Sequence, residues 1–386
     1  MSLYSYLDLY LDYNAATPVY DEVLSEMASR QEIFANPASS HTDGQRAMAL
    51  LENSRETVAD FLDAKPHEII FTSGATEANN TVLWQMLCNK NLKKLLISQI
   101  EHPSVYEYGD FLSERGTTVL KIPVDGQGFI DLDFLDENCD AQSLVSVIWA
   151  NNEIGTVQNV AKIAEIVKKN SALLHFDAVQ AFGKIKISLK ELSADFLSFT
   201  SHKIYGPRGI GGLFVREGTP FFPMIIGGGQ ESGFRAGTAN QILAAGFAKA
   251  VEKRKTEMYD EEKRIWDLRE ALKEKLSDIC GIKFNGAQEY GKTLSGTLSV
   301  TLSDIENEIV VLRLDNAGIF VSKGSACSSQ KVFASGTLTA VGLSSREAAR
   351  TVRATVGRAV SVEEINRFSD KIHEIVQNVR KSRNSL

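Results

Sequence analysis

Cysteine is scarce and scattered in this sequence of 386 residues. No two cysteines form a C-x-x-C pair, which argues against a structural zinc site or a disulfide framework and fits a reducing cytoplasm best. The four positions are Cys88, Cys139, Cys280 and Cys327. The six histidines also lack the short mutual spacing of metal ligands. We therefore predict no metal site.

Long apolar runs and charge clusters are missing as well. No run reaches membrane-spanning length, and the opening residues Met1 to Asp8 lack the basic start of a secretory signal. Acidic and basic residues are mixed along the chain, with a formal net charge of -7. This mixed pattern lacks the basic patch or stripe that is typical of nucleic-acid-binding proteins. We expect a cytoplasmic protein that binds neither nucleic acid nor membrane.

What the sequence does have is an alternation of short apolar runs with helical patterns. This order predicts an α/β fold with a mainly parallel central sheet flanked by helices. Beyond about residue 255 the pattern changes to that of a smaller α+β unit. We predict a large domain of residues 15–255 and a small domain of residues 1–14 and 256–386. The predicted strands of the sheet include 67–71, 94–99, 117–122, 143–149 and 172–176.

The stretch from Ser198 to Gly212 places a lysine directly after an apolar run. Desolvation lowers the pKa of a lysine, which makes Lys203 a candidate nucleophile for a Schiff base. Ser201 and His202 beside it can hydrogen-bond a phosphate. Taken alone, a surface lysine in a glycine-rich turn is the commoner explanation. The polar residues at the ends of the other predicted strands favour the functional role of Lys203 instead.

Residues 72–77 offer an anion site where a predicted strand meets a helix. The backbone amides of Ala75 and Thr76 open that helix, and the helix dipole favours a negative charge there. Gly74 allows a ligand to approach the backbone closely. An ordinary helix cap at Thr76, with no ligand, explains the same residues.

Polar residues follow three more predicted strands. His102 can stack on a flat cofactor, although a lone histidine is more often a cap or a solvated side chain. The amides of the turn containing Asn152 can bond a ring hydroxyl, although asparagine and glycine favour turns in any case. Asp177 ends an apolar run, where a carboxylate is costly unless it meets a cation such as a pyridinium nitrogen. Gln180 follows three positions later. Together with Lys203, these groups describe one cofactor, pyridoxal phosphate.

An ordered set of motifs resembles the cysteine desulfurases of the class V aminotransferase group over nearly the full chain. The resemblance implies a PLP-dependent fold type I homodimer with active sites at the subunit interface. The motifs are Tyr13 to Pro18, Asn36-Pro37 with His41, Thr72 to Glu77, Glu101-His102, Asn151 to Gly155, Asp177 to Gln180, Ser201 to Pro207, Gly227 to Glu231, Arg235 to Thr238, Gly324 to Ser329 and Val352-Arg353.

The resemblance also implies a role for each matching residue. Lys203 is similar to the Schiff-base lysine, His102 to the ring-stacking acid/base and Asp177 to the pyridinium partner. Arg353 resembles the clamp for the substrate carboxylate, with Asn36 assisting it. The groups near the ring hydroxyl would be Asn152 and Gln180. The phosphate ligands would be Ala75, Thr76, Ser201 and His202, joined by Thr238 from the other subunit.

Cys327 separates this family from its aminotransferase relatives. Its neighbours in Gly324-Ser-Ala-Cys-Ser-Ser329 are small and polar, as in a mobile loop that carries a nucleophile. A buried free cysteine is the structural alternative. Two segments depart from the usual family pattern: Phe333 to Gly336, where Pro-Ser is common, and Arg235-Ala-Gly-Thr238, where serine is usual.

The resemblance implies removal of sulfur from L-cysteine, giving L-alanine and a persulfide on Cys327. The sulfur would pass to an acceptor or scaffold protein, for iron–sulfur cluster assembly or tRNA thiolation. Selenocysteine lyase and cysteine sulfinate desulfinase remain alternatives on the same scaffold. An inactive docking scaffold for sulfur-relay proteins is an alternative of another class. A plain transaminase would leave Cys327 without a task.

Overall fold

The computed structural model describes residues 8–323 and 335–384. The strands are β1 (Leu9–Tyr10), β2 (Ile69–Thr72), β3 (Lys94–Ser98), β4 (Thr118–Ile122), β5 (Ser143–Ile148), β6 (Leu173–Asp177), β7 (Phe196–Thr200), β8 (Gly211–Val215), β9 (Ile282–Asn285), β10 (Thr297–Leu302), β11 (Ile319–Phe320) and β12 (Thr351–Thr355). The helices are α1 (Asp21–Ser29), α2 (Thr42–Phe61), α3 (Ala75–Cys88), α4 (Pro103–Ser113), α5 (Leu132–Asn138), α6 (Val160–Lys169), α7 (Gln241–Ser277), α8 (Asn307–Asp315), α9 (Gly336–Ala340), α10 (Ser345–Ala348) and α11 (Val362–Asn384).

The central sheet has seven strands in the order β2-β8-β7-β6-β5-β3-β4. All neighbouring pairs are parallel except those that β8 makes with β2 and β7. Most of its strands are apolar and buried along their whole length, as expected when helices cover both faces. The predicted α/β class with a mainly parallel sheet is confirmed.

Parallel strands bring their carboxyl ends to one edge of the sheet, where such folds bind ligands. At this edge β6 ends at Asp177, and β7 leads into the short 3₁₀ turn Ser201–Lys203. The turn that precedes α3 follows β2, and His102 follows β3. The sheet topology therefore collects the polar groups that the sequence places after separate strands.

A smaller antiparallel sheet, in the order β12-β10-β9, lies beside the central one. The start of the chain joins this region, since β1 pairs with β11 and Asp12 bridges to Thr355. Helix α7 is continuous for 37 residues and runs through position 255. The predicted boundary therefore falls inside a helix, and the division into two domains stays a prediction.

Two predicted element bounds shift in the structure. Pro18 in the sequence predicts the start of a helix, but the helix begins at Asp21, because Tyr20 is still extended. The sequence pattern of residues 6–13 predicts a strand there; in the described residues 8–13 only Leu9–Tyr10 form a strand, and Asp12 makes an isolated bridge to Thr355. No helix in residues 8–323 or 335–384 is long and apolar enough to cross a membrane.

Candidate active site

A cavity of about 520 Å³ opens at the carboxyl edge of the central sheet. Its walls combine residues from the large sheet, from the start of the chain and from β12. The sequence-predicted site residues that line it are Ala75, Thr76, His102, Asn152, Asp177, Gln180, His202, Lys203 and Arg353. Residues far apart in the sequence thus share one small volume.

Lys203 is held at the floor of this cavity by the start of the chain. Its Nζ donates hydrogen bonds to the carbonyl oxygens of Asn14 and Ala15, each at 2.6 Å. The 3₁₀ turn after β7 fixes its backbone. The amine therefore has a defined position, which a nucleophile needs.

Asp177 brings a negative charge into the same cavity. The residue is 2% exposed, and its carboxylate accepts hydrogen bonds from the Asn79 side-chain amide at 2.7 Å and the Val179 backbone amide at 3.0 Å. It forms no ion pair with any residue that the structure describes. A buried carboxylate without a cationic partner suits a positively charged ligand group.

His102 caps the N-terminus of α4 and faces the cavity. Its Nδ1 accepts the backbone amide of Ser104 at 3.1 Å, so the neutral ring carries its proton on Nε2. Burial lowers the pKa of His102, the positive charge of Lys203 adds to this, and Asp177 opposes it. The imidazole is therefore neutral at physiological pH and offers an Nε2–H donor.

The N-terminus of α3 forms the anion-binding end of the cavity. Ala75 and Thr76 occupy the first helical positions, where backbone amides have no intrahelical acceptor. Helix α3 meets β8 closely, since a Cβ on Gly211 would lie 2.9 Å from Cα of Gly74. Glu77 secures this turn by accepting the Ser73 amide at 2.8 Å.

His202 lies beside this end and Ser201 lies behind the wall. Burial, with Lys203 and Arg208 nearby, lowers the pKa of His202 to about 4, so its ring is neutral. Ser201 is fully buried and its Oγ has no hydrogen-bond partner among the described residues. A buried hydroxyl without a partner leaves one hydrogen bond unused. Its role as a phosphate ligand stays a prediction.

Arg353, on β12, brings a cation to the opposite wall. The side chain is 1% exposed, and its guanidinium donates to the Asn152 carbonyl at 2.8 Å and to the Asp12 carboxylate at 2.5 Å. Its Nε has no partner among the described residues. Several N–H groups therefore remain for a ligand carboxylate.

Comparison with known proteins places this arrangement in a family. The model of the aminotransferase class-V family matches residues 9–368. A protein named cysteine desulfurase IscS 1, from Archaeoglobus fulgidus, is 39% identical over 375 residues, which cover 96% of this chain and 97% of that protein. The chain belongs to the cysteine desulfurase group of the class-V aminotransferase family. The predicted family is confirmed.

Solved structures agree with this membership. A structure titled NifS-like protein superimposes with a TM-score of 0.89 at 37% identity, covering 96% of this chain and 99% of that one. Another, titled SspA in complex with cysteine, gives a TM-score of 0.80 at 32% identity over 90% of this chain and 99% of that one. The fold of this cysteine desulfurase family member is therefore that of its relatives.

Besides Ser201, three predicted site residues are not among those that line the cavity of the described chain. Asn36 and Thr238 line a separate surface groove beside Phe34, which is 84% exposed. Asn36 uses its side-chain oxygen to accept the Ala38 amide at 2.9 Å. Cys327 lies outside the described residues. The roles assigned to these three residues stay predictions.

Sequence reasoning missed two residues that organise the site. Asn14 belongs to a quoted motif, yet nothing in that motif shows that its carbonyl binds Lys203. Lys184 follows Gln180 by four positions and donates to its side-chain oxygen at 2.7 Å. The turn after β6 brings Lys184 next to Gln180. The residues of this turn form no motif from which that contact could be predicted.

Glu101 is a third residue whose role the sequence did not reveal. Its carboxyl group accepts hydrogen bonds from the Ser98 hydroxyl at 2.5 Å and the Ile148 amide at 2.7 Å. Burial raises the pKa of Glu101 to about 8, and the charge of Asp177 adds to this rise. A neutral acid therefore lies next to His102 in the chain and braces β3 against β5.

Proposed function

We propose that this chain is a pyridoxal phosphate-dependent cysteine desulfurase that converts L-cysteine to L-alanine and retains the sulfur on Cys327. The observation that carries the proposal is that Lys203, Asp177, His102 and Arg353 line one cavity. The full-length similarity to cysteine desulfurases supports the same reaction.

The residues of the cavity fit pyridoxal phosphate. Asp177 offers its carboxylate to the ring nitrogen, and the amides of Ala75 and Thr76 offer a site for the phosphate. Lys203 lines the same cavity. When bound, the cofactor supplies an electron sink for the electron pair left at the substrate Cα. An unpaired carboxylate and an open helix N-terminus in one cavity suit this doubly charged, polar ligand.

Arg353 binds and orients the amino acid. Its charge attracts the substrate carboxylate, and its bonds to Asp12 and Asn152 keep the guanidinium from turning. With the carboxylate held on that wall, Lys203 is placed to take the proton from Cα. His102, whose Nε2 carries a proton, serves as the proton donor in the cavity.

Cys327 is assigned as the nucleophile for the substrate sulfur. Its thiolate would attack that sulfur, so that a sulfur–sulfur bond forms as the carbon–sulfur bond breaks and a persulfide remains on the enzyme. The electron pair of the broken bond would stay with the substrate carbon, which takes up a proton to become the methyl group of alanine. The described chain on both sides supports this assignment. Ser322 pairs through its backbone with Arg353, and Ser335 donates to Glu153 at 2.5 Å. Cys327 follows Ser322 by five positions, a separation that any chain can span over at most roughly 17 Å.

A homodimer is part of the proposal. Thr238 and Asn36 lie in an exposed groove rather than in the cavity of their own chain, which fits delivery to a second copy. Arg235, three residues before Thr238, is anchored within its own chain by an ion pair with Glu77 at 2.8 Å. The sulfur then passes to an acceptor protein, whose identity we leave to experiment.

Alanine release from L-cysteine tests the proposal. We expect the purified protein to bind yellow cofactor and to release alanine, and Cys327→Ala to lose alanine and sulfide release while it keeps the colour. Cys280→Ala, at an exposed cysteine, is the matched control and should behave as the parent protein does. Full turnover by Cys327→Ala would refute the nucleophile. Faster reaction with selenocysteine or cysteine sulfinate than with cysteine would favour the corresponding alternative.

A further inference from the structure

A second cavity, of about 230 Å³, lies behind Lys203. It shares Asn14 and Lys203 with the candidate active site, so the two cavities meet at the lysine. Lys184 lines only the second cavity. Two lysine side chains therefore approach the same asparagine from different sides.

Lys184 is bonded to the groups that hold Lys203. Its Nζ donates to the Gln180 Oε1 at 2.7 Å and lies 3.4 Å from the Asn14 Oδ1. Gln180 in turn donates its Nε2–H to the Asn14 carbonyl at 2.9 Å, the same oxygen that accepts Lys203. Lys184 thus lies one hydrogen-bonded residue away from the candidate catalytic amine.

These bonds fix which end of the Gln180 amide faces which neighbour. The Asn14 carbonyl oxygen can only accept, so the amide nitrogen must face Asn14, and the amide oxygen is left to accept from Lys184. Turning the amide over would set oxygen against oxygen and N–H against N–H. Gln180 lines the active-site cavity, and the second N–H of its amide, which Asn14 does not use, is the donor that it can offer there.

Placing the amine of Lys184 here costs free energy, because its charged form loses contact with water. Burial, with Lys203, Arg254 and Arg353 nearby, lowers its pKa to about 7, and Glu261 opposes this. It forms no ion pair with a carboxylate in the described chain, and Glu261 is itself paired with Arg254 at 2.9 Å. The other titratable groups around the cavity are Tyr13, Lys186, Tyr205, Tyr259 and Glu262.

We propose that Lys184 is a positioning residue for the desulfurase reaction. It holds the Gln180 amide so that its N–H points to the cofactor's ring hydroxyl, and it secures the Asn14 carbonyl that binds Lys203. This inference rests on the proposed function. It adds a residue that acts through Gln180 and Asn14 without touching the substrate.

The test follows the colour of the bound cofactor as the pH changes, in holoenzyme variants. Lys184→Met keeps the apolar stem and removes the donor. We expect it to raise the pH midpoint of the colour change by about one unit, because a lost N–H donor and a lost positive charge both favour the protonated form. Lys190→Met, at an exposed lysine that lines neither cavity, is the control and should leave the midpoint unchanged. An unchanged midpoint in Lys184→Met would overturn the proposal.

Repeating the substitution in the Gln180→Ala variant distinguishes positioning of the Gln180 amide from an effect of the Lys184 charge alone. If Lys184 acts through Gln180, Lys184→Met should cause less than about half of its shift when Gln180→Ala is already present. An equal shift in both backgrounds would overturn the proposal. Lys184→Arg keeps a cationic donor and should hold the midpoint near that of the parent. If Lys184→Met does not fold, a midpoint for Lys184→Arg displaced as far as that of Gln180→Ala would also overturn it.

The colour titration and the alanine-release assay test separate claims, so a negative result in one does not decide the other. A yellow parent protein that releases no alanine from cysteine would contradict the proposed function, while the midpoint shift of Lys184→Met would still be measurable. A protein that releases alanine but shows no shift would contradict only the role of Lys184.

Discussion

Lys203 and Asn14 are 189 positions apart in the sequence, and the lysine Nζ lies 2.6 Å from the asparagine carbonyl oxygen. Asn14 also donates its side-chain amide to the Asn152 carbonyl at 3.1 Å, and that carbonyl accepts Arg353 at 2.8 Å. The start of the chain therefore connects the candidate catalytic amine to the candidate carboxylate clamp.

Asp177→Asn removes the buried negative charge with little change of shape. Asn79 has an unpartnered side-chain oxygen and can turn its amide to accept from the new asparagine. We expect the variant to fold and turnover to fall by about a hundredfold or more, because the ring nitrogen loses its charged partner. Alanine release and cofactor absorbance measure this. Asp260→Asn, at an exposed site on α7, is the control. Turnover like that of the parent would contradict the role of Asp177.

Arg353→Lys keeps the positive charge and removes the planar guanidinium, which can form two parallel hydrogen bonds to a carboxylate. A lysine cannot bond Asp12, Asn152 and a substrate carboxylate in the same geometry. We expect KM for cysteine to rise about ten- to a hundredfold, with a smaller effect on kcat, since one to two charge-assisted hydrogen bonds are lost. Steady-state kinetics measure both constants, and Arg346→Lys at an exposed arginine is the control. An unchanged KM would remove Arg353 from substrate binding.

Glu101→Gln should stabilise the protein near neutral pH. The pKa of Glu101 rises from 4.5 to about 8 on folding. Between these values the folded state holds a proton that the unfolded state releases, so stability falls as the pH rises through this window. Glutamine mimics the neutral acid and avoids a cost of about 3 kcal/mol at pH 7. Denaturant unfolding at pH 5 and pH 7 checks this. A stability gain that does not grow with pH would contradict a raised pKa.

His175 should make the protein sensitive to acid. Burial lowers its pKa from 6.5 to about 3, and both ring nitrogens bond serine hydroxyls, those of Ser146 and Ser198. Below pH 6.5 the unfolded state takes up a proton that the folded state refuses, so stability falls as the pH drops. The loss for this residue is about 2 kcal/mol by pH 5.

The measurement compares unfolding free energies at pH 7 and pH 5 for His175→Gln and the parent. Glutamine does not titrate, so the variant should lose about 2 kcal/mol less than the parent on acidification. His67→Gln, at an exposed histidine, is the control and should lose as much as the parent. An equal loss in His175→Gln would show that His175 titrates normally.

Much of the site could be predicted because it depends on strand ends. Asp177, His102 and Lys203 each follow an apolar run, and parallel pairing brings such ends together whatever the details of packing. The antiparallel direction of β8 could not be predicted. A short buried strand has the same apolar pattern in either direction.

Contacts between segments that are distant in the chain could not be predicted from the sequence. Asn14 binds Lys203 only because the start of the chain pairs with β11 and β12. Lys184 reads as one more charged residue in a turn until its bond to Gln180 is seen. Local patterns specify which residues are polar at a strand end, and tertiary packing decides which of them meet.

Borohydride reduction of the yellow holoenzyme, followed by peptide mapping, tests most directly that Lys203 is the amine that carries the cofactor. Reduction ties the cofactor irreversibly to that amine, and Lys184, in the adjoining cavity, is the closest internal comparison. We expect the added mass on the peptide that contains Lys203 and none on the peptide that contains Lys184. Label on Lys184, or on neither peptide, would contradict the account.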